Sequence, residues 1–179
     1  MKRSKGPSPS DAGLAIKGWQ IFAHPLLLDQ LDRLVMAVEK ERAKNPRKCL
    51  ASANTKLLSS LARLLFETIP DDPTRAEYRL GNTLGAGGRH WFRAKFGGQR
   101  FRLFFRYDSR AKIIVYAWVN DDTTLRTYGA RTDAYAVFTS MLRAGNPPDD
   151  WNGLLKAAKD EGARGRLRRS SGAPQTPRD

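Results

Sequence analysis

The spacing of apolar residues changes once along this chain, after Ile69 and before Trp91, and that change leaves few ways to fold it. Upstream, Leu27, Leu28, Leu31, Leu34, Val35 and Val38, and then Leu57, Leu58, Leu61, Leu64 and Leu65, recur at three- and four-residue intervals, the period of a helix with one buried face. From Glu77 onward apolar and polar residues alternate, which is the period of a strand. Two leucine-striped helices followed by a run of strands predict an α+β fold, with N-terminal helices packed on one face of a small antiparallel sheet and a C-terminal helix completing it. A chain of 179 residues is long enough to bury one such core.

Local signals set the expected boundaries. Trp19 to Ala23 reads as a first strand, and Pro25 suits the first turn of the helix that follows, where its missing N–H is harmless. Asn45-Pro46 stops that helix, and a second starts with Asn54 as cap and runs to Ile69 before Pro70. The predicted strands are Glu77 to Leu80, Trp91 to Phe96, Arg100 to Tyr107 and Lys112 to Val119, with turns at Gly97-Gly98 and Asp108-Ser109-Arg110. Gly85 to Gly88 is a loop, without the Gly-Lys-Ser/Thr ending of a phosphate-binding P-loop. A helix from Thr132 or Asp133 buries Val137, Phe138, Met141 and Leu142, and a short one follows from Trp151 to Ala158. The expected domain covers residues 13–160, between basic tails at 1–12 and 161–179 whose Gly, Ser, Pro and Arg content cannot bury enough surface to order itself.

The formal net charge is +14, which destabilises a compact chain by self-repulsion and so points to an anionic partner. A membrane is the poorest of these, because the longest apolar run, Ile113 to Val119, falls far short of the roughly twenty residues a spanning helix needs. Met1 to Gly13 has no apolar core of a secretory signal, and Cys49 is the sole cysteine, so a reducing cytoplasm is expected. With His24 and His90 the only histidines, no metal and no cofactor are expected.

Alternation places Phe92, Ala94 and Phe96 on the core face of one strand and Trp91, Arg93 and Lys95 on the other. The next strand repeats the pattern, Phe101, Leu103, Phe105 and Tyr107 opposing Arg100, Arg102, Phe104 and Arg106. A two-residue loop at Gly97-Gly98 would pair Lys95 with Arg100, Arg93 with Arg102 and Trp91 with Phe104, facing like charges that repel by about 1 kcal/mol at most. Between Arg89 and Arg110 seven cations meet the single acid Asp108, so the face is suited to a polyanion. Arg89, Arg100 and Arg106 are candidate RNA-binding cations, and Trp91 and Phe104 candidate stacking platforms for bases.

RNA can be cut by its own 2'-hydroxyl, given help in removing that proton, positive charge at the pentacoordinate phosphate and a proton for the leaving 5'-oxygen. Arg93, Lys95 and Arg102 are candidates for the charge. His90, an imidazole able to exchange protons near neutrality, and Lys95, crowded by arginines, are candidates for the proton. Arg126 and Tyr128, in the loop after the last strand, complete the candidate catalytic set. The same face also suits a non-catalytic RNA-binding protein, or a module for an acidic protein.

The runs Phe22-Ala23-His24-Pro25-Leu26, Arg89 to Phe96 (RHWFRAKF), Ile114 to Asp121 (IVYAWVND) and Tyr128 to Tyr135 (YGARTDAY) resemble those of the YhaV toxin family, over roughly Gly18 to Ala158. The resemblance implies a RelE-like fold and cleavage of messenger RNA on the ribosome. It also implies a PrlF-type antitoxin as inhibitor, with the complex binding operator DNA through the antitoxin to repress its own operon. In RelE-like toxins alternating basic residues on one strand, an arginine on the next, and an arginine and tyrosine near the C-terminus act on the scissile phosphate; Arg93 and Lys95, Arg102, and Arg126 and Tyr128 are similar by position. The better-known pattern has lysine at both alternating positions, whereas Arg93 stays protonated and is a poorer proton donor.

Overall fold

The computed structural model describes residues 12–172, so the segment 1–12 expected as a basic tail lies outside them but for Ala12, and 173–179 lie outside as well. The chain opens with a hairpin, β1 (Leu14–Ile16) and β2 (Trp19–Ala23), then α1 (Pro25–Lys44), α2 (Pro46–Leu50) and α3 (Ala53–Arg63). A π-helical turn, Leu64–Thr68, carries α3 into the short α4 (Ile69–Asp71). Next come β3 (Phe92–Phe96), β4 (Phe101–Asp108) and β5 (Ile113–Val119), followed by α5 (Ala134–Arg143), α6 (Trp151–Ala158) and α7 (Glu161–Ser171). The α+β class holds.

The sheet order is β1-β2-β5-β4-β3. It is mixed rather than purely antiparallel, because β2 lies parallel to β5, Ile21 opposite Ile114 and Ala23 opposite Tyr116. α1 makes that crossover possible: it leaves the end of β2, caps on His24, whose Nδ1 accepts the Leu26 N–H at 3.1 Å, and packs Leu27, Leu28 and Leu31 into the core. A segment read as a strand, Glu77 to Leu80, is instead a 3₁₀ turn at Ala76–Tyr78 with a single bridge, Arg79 to Phe92.

The β3–β4 register also differs from expectation. Phe96 faces Phe101 and Lys95 faces Arg102, so the loop is Gly97 to Arg100. Gly97, Gly98 and Gln99 all take positive φ there, which a two-residue turn does not need. The shift is two residues, so every side chain keeps its predicted face, but of the expected like-charge pairs none survives as drawn; Lys95 and Arg102 are opposite instead.

Both faces of the sheet are covered. Leu27, Leu31, Leu61 and Leu65 pack on Ile21, Ala94, Leu103, Phe105, Ile114 and Tyr116, as the leucine stripes predict. On the other face Phe138 of α5 and Leu154 and Ala158 of α6 pack on Phe22, Trp91, Phe104, Val115 and Ala117. A bulge in β5, where Phe104 pairs with Trp118 and Phe105 with Tyr116, lets the adjacent Ala117 and Trp118 both join this second core. The face expected to lie open to RNA is therefore largely an interior. Residues 161–171, expected as part of a tail, are helical: α7 buries Ala163 and Leu167 in the first core, and Arg166 forks onto Asp29 and Asp32 of α1 at 2.6 Å each. Among the described residues no helix is long and apolar enough to cross a membrane.

Candidate active site

Where the second core ends, towards the β3–β4 loop, three arginines gather around one tyrosine. Arg93 of β3 and Arg102 of β4 project to the same face, diagonal to each other across the ladder. Tyr135, in the first turn of α5, lies over them. Its hydroxyl accepts from Arg93 Nε at 3.0 Å and from Arg102 Nε at 3.2 Å. The guanidinium of Arg102 sits 5.6 Å from the Tyr135 ring centre and that of Arg126 4.8 Å, so cations occupy both the polar edge and the electron-rich surface of this ring. Arg126 also lies 3.7 Å over the ring of Tyr128, a residue that is 85% exposed.

Hydrogen bonds to the backbone hold this group in place. Arg93 Nη1 donates to the Glu77 carbonyl at 2.6 Å and Arg102 Nη1 to that of Gln99 at 3.2 Å. The buried Asn120 accepts the Arg102 N–H at 2.6 Å and donates to the carbonyls of Arg100 and Thr124, tying the hairpin loop to the segment that delivers Arg126. Asp133 does the corresponding work on α5: its carboxylate caps the helix through the Tyr135 N–H, accepts from Thr127 N and pairs with Arg126. Burial favours the neutral acid at Asp133, yet these donors outweigh it and hold the carboxyl below the usual range. Lys95 stands exposed beside the group, opposite Arg102.

Of the candidate catalytic residues, then, Arg93, Arg102, Arg126 and Tyr128 are linked through Tyr135, and Lys95 flanks them. His90 is not brought to them. Its Nε2 lies 2.8 Å from Asp149 Oδ1, which also accepts the Trp91 indole N–H at 2.7 Å. Arg106 belongs to this second corner too, held between the rings of Trp91 and Trp151 and donating to the Asp149 carbonyl at 2.6 Å. Arg106 lies four residues along the strand from Arg102, about 14 Å at roughly 3.4 Å per residue. The corner pins the chain entering α6, a bracing role.

The expected stacking platforms are corrected outright: Trp91 and Phe104 are fully buried, Trp91 edge-to-face with Phe138 and Phe104 stacked on it, and no base reaches them. Arg89 turns back to the Asn82 side chain, and Arg100 pairs at the surface with Asp122 at 2.9 Å. Tyr135 and Asp133 are absent from the expected set. Their signal was the YGARTDAY run itself, in which Tyr135 falls at helical spacing with Phe138 and so passes for one more apolar residue of α5.

An α+β fold that gathers three arginines, an exposed tyrosine and a lysine at one rim of its sheet concentrates fixed positive charge there, and charge of this kind suits a phosphodiester. A family model described as a toxin with endonuclease activity, of a toxin-antitoxin system, matches residues 21–159. The ribonuclease toxin YhaV of Escherichia coli K12 is 42% identical over 146 residues, covering 81% of this chain and 95% of that protein. The toxins named YhaV of Escherichia coli O157:H7 and O6:H1 match with the same identity and coverage. No solved structure matches. The chain belongs to the YhaV toxin family, and it is an enzyme of the endoribonuclease type.

Proposed function

We propose that this toxin cleaves messenger RNA on the ribosome by attack of the RNA's own 2'-hydroxyl, with the rim around Tyr135 as its catalytic centre. The observation that carries this reading is the tie of Arg93 and Arg102 to a single tyrosine oxygen, with Arg126 over the same ring. Fixed guanidinium groups stabilise charge where it develops, on the equatorial oxygens of the pentacoordinate phosphate, and need no reorganisation as it forms. The 2'-hydroxyl loses its proton to solvent water as its oxygen bonds to phosphorus, the bond from phosphorus to the 5'-oxygen breaks as that oxygen takes a proton from the Lys95 ammonium, and the products are a 2',3'-cyclic phosphate and a 5'-hydroxyl end. Lys95 is the group in this reading that exchanges the proton, since its amine is exposed and an arginine cannot release one at working pH. Tyr128 takes over the part first given to Trp91 and Phe104, offering an exposed ring for a base. A PrlF-type antitoxin neutralises the toxin in the cytoplasm, and the complex represses its own operon through the antitoxin's DNA-binding part.

Induced wild type is expected to create new 5' ends inside translated messages within minutes. Arg93→Ala and Lys95→Ala should each abolish these ends and the growth arrest while the proteins stay folded. Growth arrest retained in both variants would overturn the site, and RNA binding retained without any new ends in wild type would favour a non-catalytic RNA-binding protein.

A further inference from the structure

β3 is an edge strand, and the side of it that faces away from Tyr135 borders a groove of about 460 Å3 between α3 and the start of the β3–β4 loop. Lys56, Ser59, Ser60 and Arg63 form one wall and Phe96 with Gly97 the other. The four α3 residues recur at helical intervals on the face opposite Leu57 and Leu61, so α3 buries its leucines and turns cations and hydroxyls into the groove. Among the described residues no carboxylate lines it. Lys56 and Arg63 are exposed and enter no ion pair among the described residues, although other surface cations, such as Lys17, Arg100 and Arg166, do find acids.

We propose that this groove is a second phosphate-binding subsite, which carries the RNA strand past the sheet edge on one side of the scissile bond, Lys56 and Arg63 each holding a backbone phosphate. The inference rests on the reading of RNA as substrate. Its geometric basis is the alternation of β3: Lys95 projects towards the Tyr135 rim and the next residue, Phe96, towards the groove, so a strand that crosses this one edge meets both. Cations with hydroxyls suit phosphate and ribose oxygens, and half-buried Phe96 adds an aromatic surface. An acidic protein segment is the competing occupant.

The test is binding of a short, fully 2'-O-methylated single-stranded RNA, which cannot be cut, across a salt series. Each phosphate neutralised on a single strand adds about 0.7 to the slope of log K against log salt, so Lys56→Ala/Arg63→Ala should lower that slope by about 1.4 and weaken binding about 25-fold at about 0.1 M salt. The charge-keeping double variant Lys56→Arg/Arg63→Lys should bind as wild type does. An unchanged slope in a double alanine variant that melts like wild type overturns the proposal. So does loss of neutralisation by antitoxin with RNA binding intact, which assigns the groove to a protein. Because the probe is not cleaved, a groove-dependent slope in a toxin that makes no new 5' ends would overturn the catalytic reading and support the subsite.

Discussion

At the scale of single residues, Tyr135 solves a problem that the candidate cations create. Three guanidinium groups gathered around one ring repel one another, and long side chains left to themselves would spread. A phenol oxygen has two lone pairs and one proton. Arg93 and Arg102 use both lone pairs, and the ring surface accommodates Arg126. Tyr135→Phe keeps the ring and removes the tie. Bonds of this kind to charged groups contribute about 1.5 to 3 kcal/mol, so cleavage should fall about 10- to 160-fold if that energy is expressed in the transition state. Single-turnover rates beside a thermal melt check this; a variant with normal rates and a lowered Tm would make Tyr135 a packing residue and nothing more.

Among the elements, α7 shows most clearly what a sequence conceals. Its composition, Glu161 to Ser171 with four arginines and two glycines, predicts no ordered structure. Two apolar residues four apart, Ala163 and Leu167, are enough when the rest of the fold supplies a seat, and the Arg166 fork to Asp29 and Asp32 joins residues more than 130 positions apart. Leu167→Ala should cost about 2 to 5 kcal/mol, read as a lower urea midpoint, while Arg169→Ala on the exposed side should change it little. Elements with chemical punctuation were legible: Pro25 and Asn45-Pro46 bound α1, and α6 begins and ends where Trp151 and Ala158 predict. Those that depend on contacts distant in sequence were not, including the parallel β2–β5 pairing and the burial of Trp91 and Phe104 beneath Phe138. The faces of β3 and β4 were legible and their register was not, since alternation is blind to a shift of two while the left-handed run Gly97 to Gln99 sets the loop length. In the site, Arg93, Arg102, Arg126 and Tyr128 could be read from charge and resemblance. The tyrosine that joins them could not, because a helix-facing aromatic looks the same whether it fills a core or holds a cation.

For the molecule as a whole, covering both faces of the sheet moves its positive charge outward and leaves a few buried or hydrogen-bonded groups to govern how stability responds to pH. His24 is buried at the β2–α1 junction with Nδ1 accepting a backbone N–H, and burial lowers its pKa below the ordinary imidazole value of about 6.5, Asp29 opposing the shift. The unfolded chain then binds the proton first. Stability should therefore be full above about pH 6.5 and decline as the pH falls towards the lowered folded-state value, with Asp133 and Asp149, both held low, adding a further loss below about pH 4. Thermal melts between neutral and acidic pH check this, and His24→Asn, which keeps a capping acceptor, should flatten the upper part of the curve. The parallel pairing of β2 with β5 has a further consequence in time. Synthesised from its N-terminus, the chain exposes β2 long before Ile113–Val119 exist to complete the sheet around it, and the arginines of β3 and β4 emerge before Tyr135 can join them. The last pieces of the rim arrive with α5, so a ribosome making this toxin has passed every strand of the sheet before Tyr135 can close the cluster.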